Sequence, residues 1–184
     1  RIGVRAAETE IGALAKAKRL SFPAAAREWK TATADDAVRK LAEESPPLRN
    51  HPRCYLLGGA PWAVTVFTHP AEFAKSVDER PVDIRLTPAD IDAALKLLED
   101  SPNFTTLTAT VIARVPAGPG REHLTAELDS VGTAFRTEQL VAGATLLKSF
   151  ADVYQYEGKE VRFYTRSLHA WPVGYILVKG KFEL

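Results

Sequence analysis

One cysteine, no methionine, no long apolar run and no excess of either charge mark this 184-residue chain, and each absence removes a class of explanation. Cys54 has no partner for an internal disulfide, so cysteine usage gives no sign of an oxidising compartment. It stands in the apolar run Cys54-Tyr55-Leu56-Leu57, which reads as a buried, inert thiol rather than a nucleophile. A transmembrane helix needs roughly 20 consecutive apolar residues. The stretches here are only a few residues long, so the chain is expected to be soluble or peripheral to a membrane. The 24 Lys and Arg offset 23 Asp and Glu to a formal +1, too little to hold a polyanion, and no nucleic-acid partner is expected. With no methionine and Arg1 first, the chain reads as processed or trimmed, a removed transit peptide being one source.

Chemical motifs are equally scarce. The four histidines, His51, His69, His123 and His169, stand alone in sequence, and no pair has metal-ligand spacing. Gly58-Gly59, Gly118-Pro119-Gly120 and Gly143 belong to no GxGxxG or GxxxxGK loop, and turns are the simpler account of them. No serine sits in a GxSxG elbow. Asp90, Asp92, Glu99 and Asp100 fall on the polar face of one helical segment, and Glu127 with Asp129 on another, as solvated faces do. No catalytic residue, cofactor or metal is therefore expected. Tyr154, Tyr156, Tyr164, Tyr175, Trp171 and Phe182 concentrate aromatics in the last third. Interleaved with Arg162 and Arg166 they could stack nucleobases, but with balanced charge the cross-strand packing of a sheet explains them better.

What is present is the composition of a globular domain, 46% apolar and 26% charged, at a length that suits one domain with or without an appendage. The spacing predicts an N-terminal helical extension over 1–50. Residues 1–30 carry seven Lys and Arg against three Glu, and Val4, Ala7, Ile11 and Leu14 recur at helical spacing until Ser21-Phe22-Pro23 interrupts them. Such a basic amphipathic segment is residual targeting sequence, a helix on the domain's own surface, or a docking helix. The docking form would lay Val4, Ile11 and Leu14 into a partner's groove, with Lys16 and Arg19 at its rim. A second helix is expected at 34–44, capped by Thr33 and stopped by Ser45-Pro46-Pro47. Residues 45–52 read as a linker, and 51–184 as the main domain.

Within 51–184, strands are predicted at 54–57, 62–67, 82–86, 104–115, 146–156, 160–166 and 173–184, with helices at 88–100 and 121–138. Thr87-Pro88-Ala89-Asp90 opens the first helix with a cap, a proline and an acid. Leu124, Leu128, Val131 and Phe135 give the second a stripe expected to cover the sheet. The fold class is α+β, a mostly antiparallel twisted sheet with packed helices and a helical N-terminal extension.

The order of a long strand, a covering helix with Val131-Gly132, a strand from Leu146 to Val153, the turn Glu157-Gly158-Lys159, a strand with Phe163-Tyr164, and a close on Val178-Lys179-Gly180-Lys181-Phe182 resembles the PsbP family over about 104–184. That resemblance implies a PsbP and Mog1-like fold. It also implies a non-catalytic extrinsic or accessory subunit of a membrane-bound photosynthetic complex, with a stabilising or docking role. Its partners would be subunits of a larger membrane protein complex. Its place would be the plastid thylakoid lumen rather than the mitochondrion. The alternatives are a supernumerary subunit of a mitochondrial respiratory complex and a small-ligand enzyme or binding protein of NTF2-like or hot-dog type. A pocket with convergent polar groups would favour the last of these.

Overall fold

Gly3 is extended and frees the first helix, α1 (Val4–Lys18), to start without a side-chain cap; Arg19 ends it in the left-handed conformation at φ 58°. The N–H of Leu20 closes that end on the carbonyl of Ala15 at 3.0 Å, and Lys16 and Lys18 sit in the last turn, where cations suit the helix dipole. In this computed structural model, which describes residues 3–44 and 50–166, Ser21-Phe22-Pro23 both stops α1 and starts the next helix. Ser21 Oγ accepts from the Ala24 N–H, and Pro23 lies in the first turn of α2 (Phe22–Trp29). A π-helical turn over Lys30–Ala34 leads directly into α3 (Asp35–Glu44). The expected Thr33 cap is therefore absent, because the chain never leaves the helix there.

The strands β1 (Arg53–Leu56), β2 (Asp83–Arg85) and β3 (Glu160–Tyr164) form one sheet in the order β1-β3-β2. β1 runs parallel to β3, with Arg53 opposite Glu160, while β2 runs antiparallel to it. Val161 and Phe163 are buried and Glu160, Arg162 and Tyr164 take the other face, the alternation of a strand, within the 160–166 expected from the sequence. The chain is α+β, but helices dominate and the sheet is small and mixed. This corrects the mostly antiparallel sheet.

Three expected strands are helices: 62–67 lies in α4 (Gly59–Thr68), which is followed by the short α5 (Pro70–Phe73); 104–115 forms α7 (Phe104–Ile112); and 146–156 falls mostly in α9 (Thr137–Val153). In α4, Ala63 through Phe67 are all buried, and a helix enclosed on every side shows no period. Its threonines are accommodated by back-bonding, Thr65 Oγ1 donating to the Pro61 carbonyl at 2.6 Å and Thr68 Oγ1 to that of Val64 at 2.8 Å. In α7, Leu107 and Val111 are buried with Val115 beyond, a four-residue step that coincides with every second tooth of an alternating pattern. Ala109 and Ala113, which a strand would bury, are exposed. Asn103 caps this helix, its Oδ1 accepting from the Thr106 N–H at 2.9 Å. Two of the strands on which the family resemblance rested are thus helical. The strand expected at 173–184 lies outside the described residues.

The helix α6 (Pro88–Asp100) agrees with the sequence reading, and α8 (Pro119–Ala134) does so except at its end, where it stops short of the expected 138 and leaves Phe135 extended outside the helix. The Thr87 cap is real: Asp90 N–H donates to Thr87 Oγ1 at 3.2 Å, and the Thr87 N–H returns to Asp90 Oδ2 at 2.7 Å. Leu124, Leu128 and Val131 are buried, but α8 packs chiefly on α4, α5 and α7 rather than across the sheet. After extended Phe135 the chain re-enters a helix, α9, whose residues from Leu140 through Leu147 are all buried. That helix is the centre of the molecule, with α1, α2, α3, α4 and α6 packed around it.

One hydrophobic core joins Ile11, Trp29 and Val38 to Phe67, Ile91, Leu128 and Phe163. Residues 3–44 therefore belong to the same core as the rest, and the division into a 1–50 extension and a 51–184 domain is corrected. Polar contacts bind the same elements: Gln139 Nε2 donates to Glu8 Oε2 at 3.1 Å, and Trp29 Nε1 to Glu10 Oε2 at 2.7 Å.

Candidate functional site

Four segments converge on a cavity of about 640 Å³ along β1. The strand supplies Arg53, Cys54, Tyr55 and Leu56, and its exit supplies Leu57, Ala60 and Pro61. α9 contributes Gly143, Leu146, Leu147 and Phe150, an i, i+3, i+4, i+7 face, so one helical stripe forms a wall. Val4 of α1 joins the lining, while Tyr154, Tyr156 and Lys159 arrive from the segment between α9 and β3.

Local backbone requirements explain the glycines at the β1–α4 junction. Gly58 has φ 99°, a conformation that L side chains rarely adopt, and a Cβ on Gly59 would lie 2.2 Å from the Phe135 ring. Gly143 lets α9 approach α4, since a Cβ there would sit 3.0 Å from that of Ala60. These glycines thus serve a turn and two close approaches.

The walls are mainly apolar and the polar groups are few. Phe150 and Tyr154 stack at 5.9 Å between centroids. Tyr156 is buried, and burial first, then the neighbouring Cys54, pushes its hydroxyl pKa well above the usual range, so it stays protonated. His51 Nδ1 lies 2.9 Å from the Arg53 carbonyl oxygen. Arg53 holds Glu160 Oε2 at 2.7 Å, and Arg162 Nε holds the other oxygen of that carboxylate at 2.6 Å and extends to Asp83. Among the described residues no Asp or Glu lines the cavity, whereas Arg53, Lys159 and His51 do.

The residues expected to dock on a partner are placed differently. Ile11 is fully enclosed, and Val4 and Leu14 pack against the core, so the apolar stripe of α1 faces the chain's own α9 and α2. This corrects the docking role, because the stripe that would fill a neighbour's groove is already covered. Lys16 and Arg19 are exposed, and Val4 alone of the five reaches the cavity.

The described histidines do not converge. His51 is at the cavity and His123 is exposed on α8. His69 Nε2 lies 3.5 Å from Asp90 Oδ2, an electrostatic contact too poorly aligned to be a hydrogen bond. Burial alone would raise the Asp90 pKa, but His69 and the Thr87 hydroxyl and N–H outweigh it and hold the carboxyl at about 2. His169 lies outside the described residues. Among the described residues no group of three His, Cys, Asp or Glu is placed to hold a metal ion, and no helix is long and apolar enough to cross a membrane.

No family model, no curated protein and no solved structure matches the chain.

The cavity residues escaped sequence reasoning because they come from segments read as strands and turns. The spacing of Gly143, Leu146, Leu147 and Phe150 was the available signal, visible once 137–153 is taken as helical.

Proposed function

We propose that this chain is a binding domain for a small amphipathic molecule, housed between β1 and α9. The observation that carries the reading is the cavity itself. Its volume of about 640 Å³ lies within the usual span of small-molecule sites, and apolar side chains from separate elements surround a few polar groups. Phe150, Leu146 and Leu147 would take the apolar body of the ligand, while Tyr154 and Arg53 offer hydrogen-bond donors. The arrangement supports binding, and among the described residues that line the cavity no nucleophile is paired with a base.

The test is fluorescence titration of the full chain with the neutral probe N-phenyl-1-naphthylamine. Saturable one-to-one binding is expected. Leu57→Glu, which places a carboxylate in the wall at a half-exposed position, should weaken it about tenfold. Leu146→Trp should block it by filling the space. Absence of saturation, or full binding by both variants with their folds intact, overturns the reading.

A further inference from the structure

Aromatic side chains gather at the cavity. They make up 9% of the chain, yet among the described residues that line this space four of 16 are aromatic, namely Tyr55, Phe150, Tyr154 and Tyr156. Tyr55 is half-exposed on β1, Phe150 lies in the last turn of α9, and Tyr154 caps that helix. Gln155, left-handed at φ 56°, then ends the helical path, and Tyr156 follows it into the interior. The Tyr154 N–H donates to the Phe150 carbonyl at 2.9 Å, which sets the two side chains one turn apart on one side of the helix, and their rings stack with 27° between planes. Both rings are only partly buried, so the pair is not enclosed by the core it packs against. Aliphatic walls such as Leu146 and Leu147 favour any apolar body in proportion to the area it buries. Ring faces discriminate further, because the quadrupole of an aromatic ring favours offset or edge contact with another ring beyond what area supplies.

Resting on the binding reading above, we infer that the ligand is a flat aromatic molecule, its ring system set against the Phe150–Tyr154 pair with Tyr55 on the strand side. A stacked pair uses one face of each ring, so each keeps a second face or an edge for a third ring. Leu146 and Leu147, one turn back on the same stripe of α9, continue the surface on which the ligand lies. The leucines supply apolar area, and the aromatic pair supplies the selectivity for a ring over a saturated body of the same skeleton.

The experiment measures 2-naphthol and decahydro-2-naphthol by equilibrium dialysis against the full chain, with N-phenyl-1-naphthylamine as the control for binding. The two alcohols share a ten-carbon skeleton and one hydroxyl, and they differ in aromaticity and flatness. The naphthol should bind about fivefold tighter. Phe150→Leu combined with Tyr154→Leu should erase that margin by weakening the naphthol, leaving the saturated alcohol within about twofold of wild type, whereas Tyr154→Phe, which keeps the ring, should preserve it. Should the double variant not fold, Tyr154→Leu alone, at a partly buried position, must reduce the margin. If N-phenyl-1-naphthylamine saturates but the naphthol binds no tighter than its saturated counterpart, or if the margin survives the leucine substitutions, the aromatic assignment fails and the binding reading stands. If neither the control probe nor either alcohol saturates, both fail.

Discussion

Replacing Ile11 with alanine tests whether α1 is a structural member of the fold. Its side chain is 0% exposed and lies within the core that α1 shares with α9 and α2. Ile11→Ala removes three carbons, about 2.4 kcal/mol of transfer free energy at ~0.8 kcal/mol per methylene. The cavity left behind raises the loss to about 3–4 kcal/mol, since a helix tied by Glu8 to Gln139 and by Glu10 to Trp29 has little freedom to collapse inward. For a chain of this size, that loss lowers the melting temperature by about 10 °C. The control is Lys16→Ala, exposed on the same helix, which should shift it by less than a degree or two. Circular dichroism melts of the three proteins decide the matter. If Ile11→Ala melts with the control, α1 is not packed as described, and the docking role of its stripe returns.

Further outcomes follow from individual contacts. Glu127 accepts from Trp62 Nε1 at 2.7 Å and pairs with Arg80 at 3.0 Å, and the Arg80 side chain is only 10% exposed and stacks over the Phe73 ring. Glu127→Ala should therefore lose about 3 kcal/mol in urea denaturation, more than Glu127→Gln, which keeps an acceptor for Trp62; equal losses would refute the contribution of the Trp62 hydrogen bond. The Asp90 carboxyl, lowered from 3.8 to about 2, contributes stability that is complete above its unfolded pKa and is lost as pH falls through the folded one. Allowing for solvent screening, wild type should exceed Asp90→Asn by about 1 kcal/mol at neutral pH, with the gap closing between about pH 4 and pH 2; a gap independent of pH would sink this account. Gly59→Ala should destabilise by about 1–3 kcal/mol through its clash with the Phe135 ring, and Phe135→Leu should restore part of the loss in the double variant; an unchanged melting temperature for Gly59→Ala would remove the close approach.

By itself the sequence determined those elements whose signals are local. Thr87-Pro88-Ala89-Asp90 starts α6 because a cap, a proline and a reciprocal acid act within four residues, and Val161 and Phe163 mark β3 because only a strand alternates a buried and a wet face so cleanly. Leu124, Leu128 and Val131 likewise showed α8 through its one buried stripe. Tertiary structure decided the elements enclosed on several sides. Ala63 through Phe67 and Leu140 through Leu147 have no wet face, so burial erases the periodicity that would have told helix from strand. The same enclosure made α9 the hub, drew α1 into the core and set the 143–150 stripe against β1. The cavity could not be read along the chain, because Val4, Arg53, Phe150 and Lys159 become neighbours only when β1 and β3 pair in parallel and α9 lies between distant helices.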